Sequence, residues 1–152
     1  MEFWFSEIQT PNVKLSIRVN KQIYSGKSEF QRIDVFESPE FGKFLTLDGY
    51  MMLTEKDEFI YHEMITHVPM AVHPEVKNVL VIGAGDGGVI RELVRYPEIS
   101  HIDMVEIDPL VVEVCRKYLP QTACRLDDPR LTIHYEDGLK FIRARENEYD
   151  LI

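Results

Sequence analysis

The sequence has few cysteines, no segment typical of a signal peptide and no long apolar run. Its 152 residues include 2 cysteines, Cys115 and Cys124, which form no CxxC pair and exclude a zinc framework or a disulfide ladder. Residues 1–20 lack a basic start followed by an apolar centre. No apolar run approaches the ~20 residues that a membrane helix requires. We therefore predict a cytoplasmic protein with no membrane partner.

Basic residues are also scarce. The chain has 17 lysines and arginines against 26 aspartates and glutamates, which gives a formal net charge of -9. Nucleic acids bind clusters of basic residues, so this balance argues against a nucleic-acid partner and mildly favours cationic ligands. An ordinary acidic protein accounts for the same charge. With 45% apolar residues, the chain is long enough for one core and the start of a second.

Strands are predicted over the first third of the chain. Apolar and polar residues alternate in residues 15–19 and 30–35. This period of two is typical of half-buried antiparallel strands. The pair Asp48-Gly49 is typical of a tight hairpin turn. We assign residues 1–53 to a small antiparallel β domain.

A connecting helix is predicted over residues 54–73. Thr54 and Asp57 resemble a capping box at its start. Pro69 is expected to end the helical pattern after about 12 residues.

The phase of this helix follows from apolar residues that recur four positions apart. They predict an inward face formed by Ile60, Met64 and Val68. Tyr61 and His62 then point away from that face. Pro74 and its polar neighbours mark the join to a second domain, which we assign to residues 74–152.

Strands and helices alternate in this second domain. Strands are predicted at Val79–Ile82, His101–Ile107, Leu131–Tyr135 and Tyr149–Ile152, and helices after residue 88, at Pro109–Leu119 and at Leu139–Arg145. Asp108 can cap the second helix, and proline suits its first position. The alternation predicts a doubly wound parallel sheet. Because the sheet stops in its fourth strand with one edge unpaired, we expect the sequence to be a piece of a longer protein.

A glycine loop follows the first strand of this sheet. Gly83, Gly85 and Gly88 match the pattern GxGxxG, and Gly87 adds a fourth glycine. Glycine lets the backbone approach a ligand closely, and Glu106 ends the next strand, where a carboxylate can bind both ribose hydroxyls. The loop therefore predicts a ligand that contains adenosine. A tight turn whose glycines serve only packing is the alternative.

Asp86 distinguishes among adenosine ligands. A dinucleotide would place its pyrophosphate at this helix end, where a lone carboxylate among the backbone amides would repel it. S-adenosylmethionine has no phosphate, but its own carboxylate would lie near Asp86. A ligand whose tail ends in an ammonium group alone fits best. Alternatively, Asp86 caps the helix and has no role toward a ligand.

Five segments together resemble the bacterial spermidine synthases, which are putrescine aminopropyltransferases. They are DEFIYHEM (Asp57–Met64), GAGDGG (Gly83–Gly88), VEID (Val105–Asp108), LDDPR (Leu126–Arg130) and EDG (Glu136–Gly138). FQRIDV, which contains Gln31, resembles the N-terminal module of that family. The resemblance runs over essentially the whole chain. It implies a small antiparallel β domain followed by a Rossmann-like, methyltransferase-type parallel sheet that is truncated in its fourth strand.

The resemblance also implies an activity. Family members transfer an aminopropyl group from decarboxylated S-adenosylmethionine to putrescine, giving spermidine and 5'-methylthioadenosine, with no metal and no cofactor. By similarity, seven residues bind the substrates: Gln31 and Glu106 the nucleoside, Asp137 and Gly138 the adenine, and His62, Asp86 and Tyr61 the amine. The family forms dimers and tetramers, so the resemblance implies a homodimer or a homotetramer.

The chemistry of this reaction needs an activated nucleophile. The thioether that leaves a sulfonium is already activated by its charge, whereas an amine with a pKa of about 10.4 is almost wholly protonated at neutral pH. In the family the proton acceptor is an aspartate that follows the fourth strand, beyond Ile152. No catalytic residue is therefore expected in these residues, and the isolated chain is expected to be inactive.

Other functions remain open at this point. His62 and His67 in HEMITH lie at i and i+5 on the helix, so they point in different directions and do not predict a zinc site. Asp137 could serve only as a helix cap. A methyltransferase that uses S-adenosylmethionine would need the same loop and Glu106. A non-catalytic polyamine-binding module is the second alternative.

Overall fold

A computed structural model of the chain describes residues 2–73 and 75–152. The chain divides into two compact units, one ending at Glu58 and the other beginning at Phe59. None of the helices in the described residues is long and apolar enough to cross a membrane. The join predicted at Pro74 lies outside the described residues, and the domain limits given above stay predictions.

The first unit consists of antiparallel strands, as predicted. A hairpin pairs β1 with β2, and a second sheet has the order β3-β4-β5-β6. The strands are β1 (Phe3–Thr10), β2 (Val13–Val19), β3 (Lys21–Lys27), β4 (Arg32–Ser38), β5 (Gly42–Leu47) and β6 (Tyr50–Thr54). Asp48 and Gly49, with φ angles of 51° and 83°, form the predicted turn between β5 and β6.

Aromatic packing joins the hairpin to the larger sheet. The ring of Phe5 lies 5.4 Å from the rings of both Phe36 and Phe44, and those two rings lie 5.2 Å apart. The apolar side chains of Ile17 and Val19 are buried around Phe44. This small core holds the first unit together.

Strand β4 differs from the half-buried strand that its alternation predicted. Ile33, Asp34 and Val35 are all buried, so both faces of the strand are covered here. The carboxylate of Asp34 is tolerated because it accepts hydrogen bonds from Gln22 at 2.7 Å and pairs with the Arg32 guanidinium at 2.8 Å. Alternation alone does not reveal a buried polar side chain that finds partners.

Helix α1 (Glu58–Val72) differs at both ends from the prediction. The Thr54 hydroxyl donates to the Asp57 carboxylate at 2.6 Å instead of capping a helix, so residues 55–57 form a turn. The helix also continues through Pro69, although it was predicted to stop there. Proline removes one amide donor, but the next turn closes normally because the His73 amide donates to the Pro69 carbonyl at 3.0 Å.

The predicted inward face of α1 is wrong. Ile60, Met64 and Val68 are exposed by 57%, 60% and 50%. The buried stripe contains Glu58, His62, Thr66 and Met70 instead. A spacing of four positions fits every stripe along a helix, so it predicts the helix without fixing which side faces inward.

The second unit contains a parallel sheet with the order β7-β8-β9. Its elements are β7 (Asn78–Ile82), α2 (Gly88–Leu93), β8 (His101–Val105), α3 (Pro109–Tyr118), α4 (Pro120–Ala123), β9 (Leu131–His134) and α5 (Gly138–Arg143). The predicted order of strands and helices is confirmed, and Asp108 caps α3 by accepting from the Leu110 amide at 3.1 Å. The four-residue helix α4 was not predicted because it is too short for a periodic pattern.

The strand order changes direction at β7, which has neighbours on both of its sides. Strand β8 lies on one side of β7, and residues 149–152 reach the other side through a single parallel bridge between Val79 and Leu151. The Leu80 amide donates to the Leu151 carbonyl at 2.9 Å. Residues 149–152 therefore take the predicted place of a fourth strand, although they form only this bridge. Ligands of doubly wound sheets bind at such a switch point, outside the carboxyl ends of the strands.

A polar cluster on β8 ties the end of the chain to the sheet. The Asp103 carboxylate accepts from the Tyr149 hydroxyl and from His134, both at 2.7 Å, and lies 3.1 Å from His101. Burial would raise the pKa of Asp103, but these hydrogen bonds bring it below its ordinary value. Burial and the bond to Asp103 raise the pKa of Tyr149 to about 12. The cluster fixes the segment beside β7.

The segment LDDPR has a structural role. The Arg130 guanidinium donates to the carbonyls of Val94, Tyr96 and Ile99 at 2.7, 2.9 and 3.2 Å. It also donates to Asp128 at 2.9 Å. These carbonyls belong to the segment that follows α2, so Arg130 satisfies backbone acceptors of the connection between α2 and β8.

Candidate functional site

The glycine loop connects β7 to α2 at the switch point. Gly83 and Gly87 have φ angles of 74° and 85°, in the left-handed region that glycine adopts without strain. A side chain at Gly87 would also lie 2.9 Å from the backbone of Ala123 in α4. These two glycines therefore shape the backbone of the loop.

Gly85 and Gly88 are required for a different reason. A Cβ atom at Gly85 would lie 2.8 Å from Val111 and 3.0 Å from the Glu106 carboxylate. A Cβ atom at Gly88 would overlap the imidazole ring of His62. Each of these glycines thus makes room for one buried polar side chain, which the pattern GxGxxG alone does not predict.

Glu106 lies directly behind the loop. Its two carboxylate oxygens accept hydrogen bonds from the Gly85 amide at 3.0 Å and the Asp108 amide at 3.1 Å, and the residue is 8% exposed. Burial raises the pKa of this carboxyl, and the two amides only partly oppose that effect. Glu106 is therefore held in one orientation at the carboxyl end of β8.

Asp86 makes two short polar contacts within the site. Its Oδ1 atom accepts from the Gly88 amide at 2.7 Å and lies 3.1 Å from Nε2 of His62. Burial would raise the pKa of Asp86, but the hydrogen bond and charge of His62, with the Gly88 amide, bring it below its ordinary value. Asp86 is therefore held as a carboxylate.

Two expectations for these residues need correction. Asp86 is not a lone carboxylate among amides, because His62 is its partner. His62 does not point away from the interior, since it belongs to the buried stripe of α1 and is 3% exposed. Asp86 binds the first amide of α2, as the capping alternative predicts, while residue Gly87 occupies the N-cap position itself. Both contacts use Oδ1, which leaves Oδ2 for a ligand.

A cavity of about 300 Å³ opens beside this pair. Its polar lining includes Tyr61, His62 and Asp86, and its apolar lining comes from β7, from Val89 and from Leu151. The cavity lies between the strands that flank the switch point, where doubly wound sheets bind ligands. A long apolar wall with one carboxylate and one imidazole suits an aliphatic chain that carries a cationic end.

The remaining predicted residues lie outside this cavity lining. Asp137 follows β9 and caps α5 by accepting from the amides of Leu139 and Lys140 at 2.8 and 3.2 Å. Gly138 opens α5 and lies so close to Ile82 that a Cβ atom would overlap it. The carboxyl ends of β8 and β9 share one edge of the sheet with the glycine loop, since the strands are parallel.

Gln31 and Tyr61 are less enclosed. Gln31 belongs to the first unit, where its backbone amide donates to the Ser28 hydroxyl at 3.1 Å. Tyr61 is 63% exposed, and its ring lies 5.4 Å from that of His62 in an edge-to-face arrangement. The roles of these two residues toward a ligand stay predictions.

The histidines of HEMITH have separate partners. His67 lies 3.2 Å from Glu92 and 2.7 Å from the Tyr96 hydroxyl, whereas His62 faces Asp86. Within residues 2–73 and 75–152, no group of three histidine, cysteine, aspartate or glutamate side chains could hold a metal ion. The pairing of His62 with Asp86 was missed because it joins segments that are distant in sequence.

Replacing Gly88 by alanine should destabilise the protein by about 1–3 kcal/mol, because the added methyl group overlaps the His62 ring. Urea unfolding followed by far-UV circular dichroism measures this change. In a His62→Ala background the same substitution should cost less than about 0.5 kcal/mol, since the ring is gone. Equal costs in the two backgrounds would show that the residues do not compete for this space.

Both units of the chain match families of known proteins. Residues 58–152 match the model described as "Spermine/spermidine synthase domain", and residues 3–55 match the "Spermidine synthase tetramerisation domain". Polyamine aminopropyltransferases from Alkaliphilus oremlandii and Clostridium perfringens are 70% and 69% identical over the whole chain. The chain covers 54% of each of these relatives, so it spans about half of their length.

Solved structures give the same result. A crystal structure of spermidine synthase from Thermotoga maritima and one of spermidine synthase in complex with the transition-state analogue AdoDATO each match with a TM-score of 0.96. Both are 49% identical to this chain, and the match covers 99% of this chain and 53% of theirs. Sequence, fold and the matched family models agree: the chain belongs to the spermine/spermidine synthase family.

Proposed function

We propose that the natural gene product that contains these 152 residues is a spermidine synthase. It transfers the aminopropyl group of decarboxylated S-adenosylmethionine to putrescine and releases spermidine and 5'-methylthioadenosine, a step of polyamine biosynthesis. The observation that carries the proposal is the Asp86 carboxylate, which lies within the glycine loop and lines a largely apolar cavity at the switch point. A phosphate would be repelled here, whereas an ammonium group is attracted.

The nucleoside half of the donor is assigned to the edge of the sheet. Each oxygen of Glu106 already accepts one amide and retains a lone pair that can accept a ribose hydroxyl. Asp137 and Gly138 flank the same edge and are assigned to the adenine, and Gln31 is assigned to the nucleoside. Support for this assignment comes from the fixed orientation of Glu106 and from the family match.

The amine half of the site is assigned to Asp86, His62 and Tyr61. These residues line the cavity, and its apolar wall suits the methylene groups of a propyl or butyl chain. The Oδ2 atom of Asp86 would accept the terminal ammonium group. The reaction needs no metal and no cofactor in this proposal, because the sulfonium already activates the leaving group.

The proton acceptor is assigned to none of the described carboxylates of the site. In this proposal Oδ2 of Asp86 accepts the ammonium group of the donor and Glu106 accepts the ribose hydroxyls, so neither carboxylate is assigned to the amine of putrescine. A general base must lie within hydrogen-bond reach of the proton that it removes. The described site therefore supplies binding and alignment of the two substrates, which brings nitrogen, carbon and sulfur into line.

Ligand preference tests this function by calorimetric titration of the natural gene product. Decarboxylated S-adenosylmethionine should bind more tightly than S-adenosylmethionine, whose own carboxylate meets Asp86. Asp86→Asn should weaken the decarboxylated donor about 10–100-fold, the loss expected for a charged hydrogen bond. It should change methylthioadenosine less than about twofold, since that ligand has no ammonium group. Asparagine still accepts from the Gly88 amide, which preserves the loop.

Asp127→Asn is the matched control, because that carboxylate is exposed and pairs only with Arg116 in the described chain. It should leave all three affinities unchanged. Tighter binding of the carboxylated donor would contradict the proposal and favour methyl transfer. Binding of the nucleosides without any spermidine formation by the gene product would favour a non-catalytic module.

The match to a tetramerisation domain supports oligomerisation, and we propose a homodimer or homotetramer formed through the β1–β2 hairpin. The hairpin exposes large apolar side chains that a second copy can cover, namely Phe3 (60%), Trp4 (56%), Ile8 (68%) and Val13 (52%).

A cytoplasmic location suits the free thiols of Cys115 and Cys124.

Charge placed on the hairpin tests this assembly. The double substitution Trp4→Glu and Ile8→Glu should lower the mass measured by sedimentation to that of a smaller assembly, because a buried unpaired carboxylate opposes association. Glu29→Lys, at an exposed position outside the hairpin, should leave the mass unchanged. An unchanged mass for the double variant would exclude the hairpin from the interface.

A further inference from the structure

Three side chains converge on the carboxylate of Glu92, a buried residue of α2 that lies one turn after Gly88. Its Oε1 atom accepts from Nε of Arg91 at 2.8 Å. Its Oε2 atom accepts from the Arg95 guanidinium at 2.5 Å and lies 3.2 Å from Nε2 of His67. Burial would raise the pKa of Glu92, but the hydrogen bonds of Arg91 and Arg95 bring it below its ordinary value, so the group is held as a carboxylate.

His67 reaches this carboxylate from α1. A carboxylate can only accept, so Nε2 of His67 carries the hydrogen of this contact. The other ring nitrogen, Nδ1, lies 2.7 Å from the Tyr96 hydroxyl and can accept from it. A neutral imidazole therefore satisfies both contacts, and the link between α1 and Glu92 requires no charge on His67.

Helix α1 depends on polar contacts of this kind. Beyond Phe59, the buried side chains of this helix are His62, Thr66 and Met70, of which Met70 alone is apolar. Burial of an apolar face is what normally packs a helix onto a domain, and α1 has little of it. Side chains that bridge α1 to α2 therefore position α1, whose residues form one wall of the cavity.

Arg91 extends the network from Glu92 to α4. Its guanidinium donates to the Gln121 carbonyl at 3.1 Å. Helix α4 in turn lies against the glycine loop, because a Cβ atom at Gly87 would lie 2.9 Å from Cα of Ala123. Glu92 is thus connected through one side chain to α1 and through another to α4.

The two connected helices pack on neighbouring glycines of the loop. Gly88 faces the His62 ring of α1, and Gly87 faces α4. We propose that Glu92 is a positioning residue, which through His67 and Arg91 holds α1 and α4 against the glycine loop and keeps the α1 wall of the cavity beside Asp86. This inference rests on the proposed function, in which the cavity takes the aminopropyl arm of the donor.

Loss of this positioning has a specific consequence for binding. When α1 leaves its place, the aminopropyl arm loses one wall of the cavity, and the apparent affinity falls with the population of the competent arrangement. Methylthioadenosine has no aminopropyl arm, and its nucleoside is assigned to residues outside α1, α2 and α4. The ratio of the two affinities therefore reports the position of α1 separately from the stability of the fold.

Glu92→Gln tests the proposal in the natural gene product by calorimetric titration. Glutamine accepts through one oxygen only, so its amide group meets at least one of the three donors. The substitution should weaken decarboxylated S-adenosylmethionine about 3–10-fold relative to methylthioadenosine. Urea unfolding followed by circular dichroism gives the folded fraction, and both ligands bind that same fraction.

Two substitutions of His67 test the α1 arm alone, at a side chain that is 30% exposed and whose loss the fold tolerates more readily. His67→Leu removes both polar contacts and should weaken the donor about 2–5-fold relative to methylthioadenosine. His67→Gln keeps an amide donor for Glu92 and should restore most of the ratio. If Glu92→Gln does not fold, this pair decides the question.

Phe141→Leu is the control for a general loss of stability, because it removes buried volume from the core cluster with Leu80 and Val105. It should lower the resistance to urea and leave the affinity ratio unchanged. An unchanged ratio in Glu92→Gln and His67→Leu, or the same change in Phe141→Leu, would overturn the positioning role. The proposed function fails separately, if the unmodified protein binds S-adenosylmethionine more tightly than the decarboxylated donor.

Discussion

The short contact between the Asp86 carboxylate and the Gly88 amide organises the site. It places a negative charge at the start of α2, where the helix dipole stabilises it. It also fixes the carboxylate where His62 can reach it from α1, through the space that glycine leaves at position 88. In the proposed function, this carboxylate makes a loop type that elsewhere binds phosphate favour a cation.

The rest of the second unit holds this contact in place. The bridge between Val79 and Leu151 creates the switch point on which the cavity opens, and the bond from Tyr149 to Asp103 holds that segment against the sheet. Arg130 pairs the carbonyls that follow α2, so the helix that carries the loop is fixed at both ends. The family match joins this arrangement to proteins that carry out aminopropyl transfer.

Local chemistry made much of the fold predictable. Apolar runs, the capping residue Asp108 and the Asp48-Gly49 turn act within a few residues, and the structure confirms the elements that they predicted. The predicted inward face of α1 was wrong because the side that is buried depends on partners rather than on spacing. The buried stripe is largely polar, and His62 is buried in contact with Asp86, which lies far from it in the sequence. Long-range pairs such as Asp103 with Tyr149 leave no periodic signal in a sequence.

A crystal structure of the natural gene product with decarboxylated S-adenosylmethionine tests the central claim most directly. The account predicts that the propylammonium nitrogen lies about 2.7–2.9 Å from Oδ2 of Asp86, with the His62 contact to Oδ1 preserved. A nitrogen more than about 6 Å from that carboxylate, beyond the reach of any direct charge pair, would contradict it.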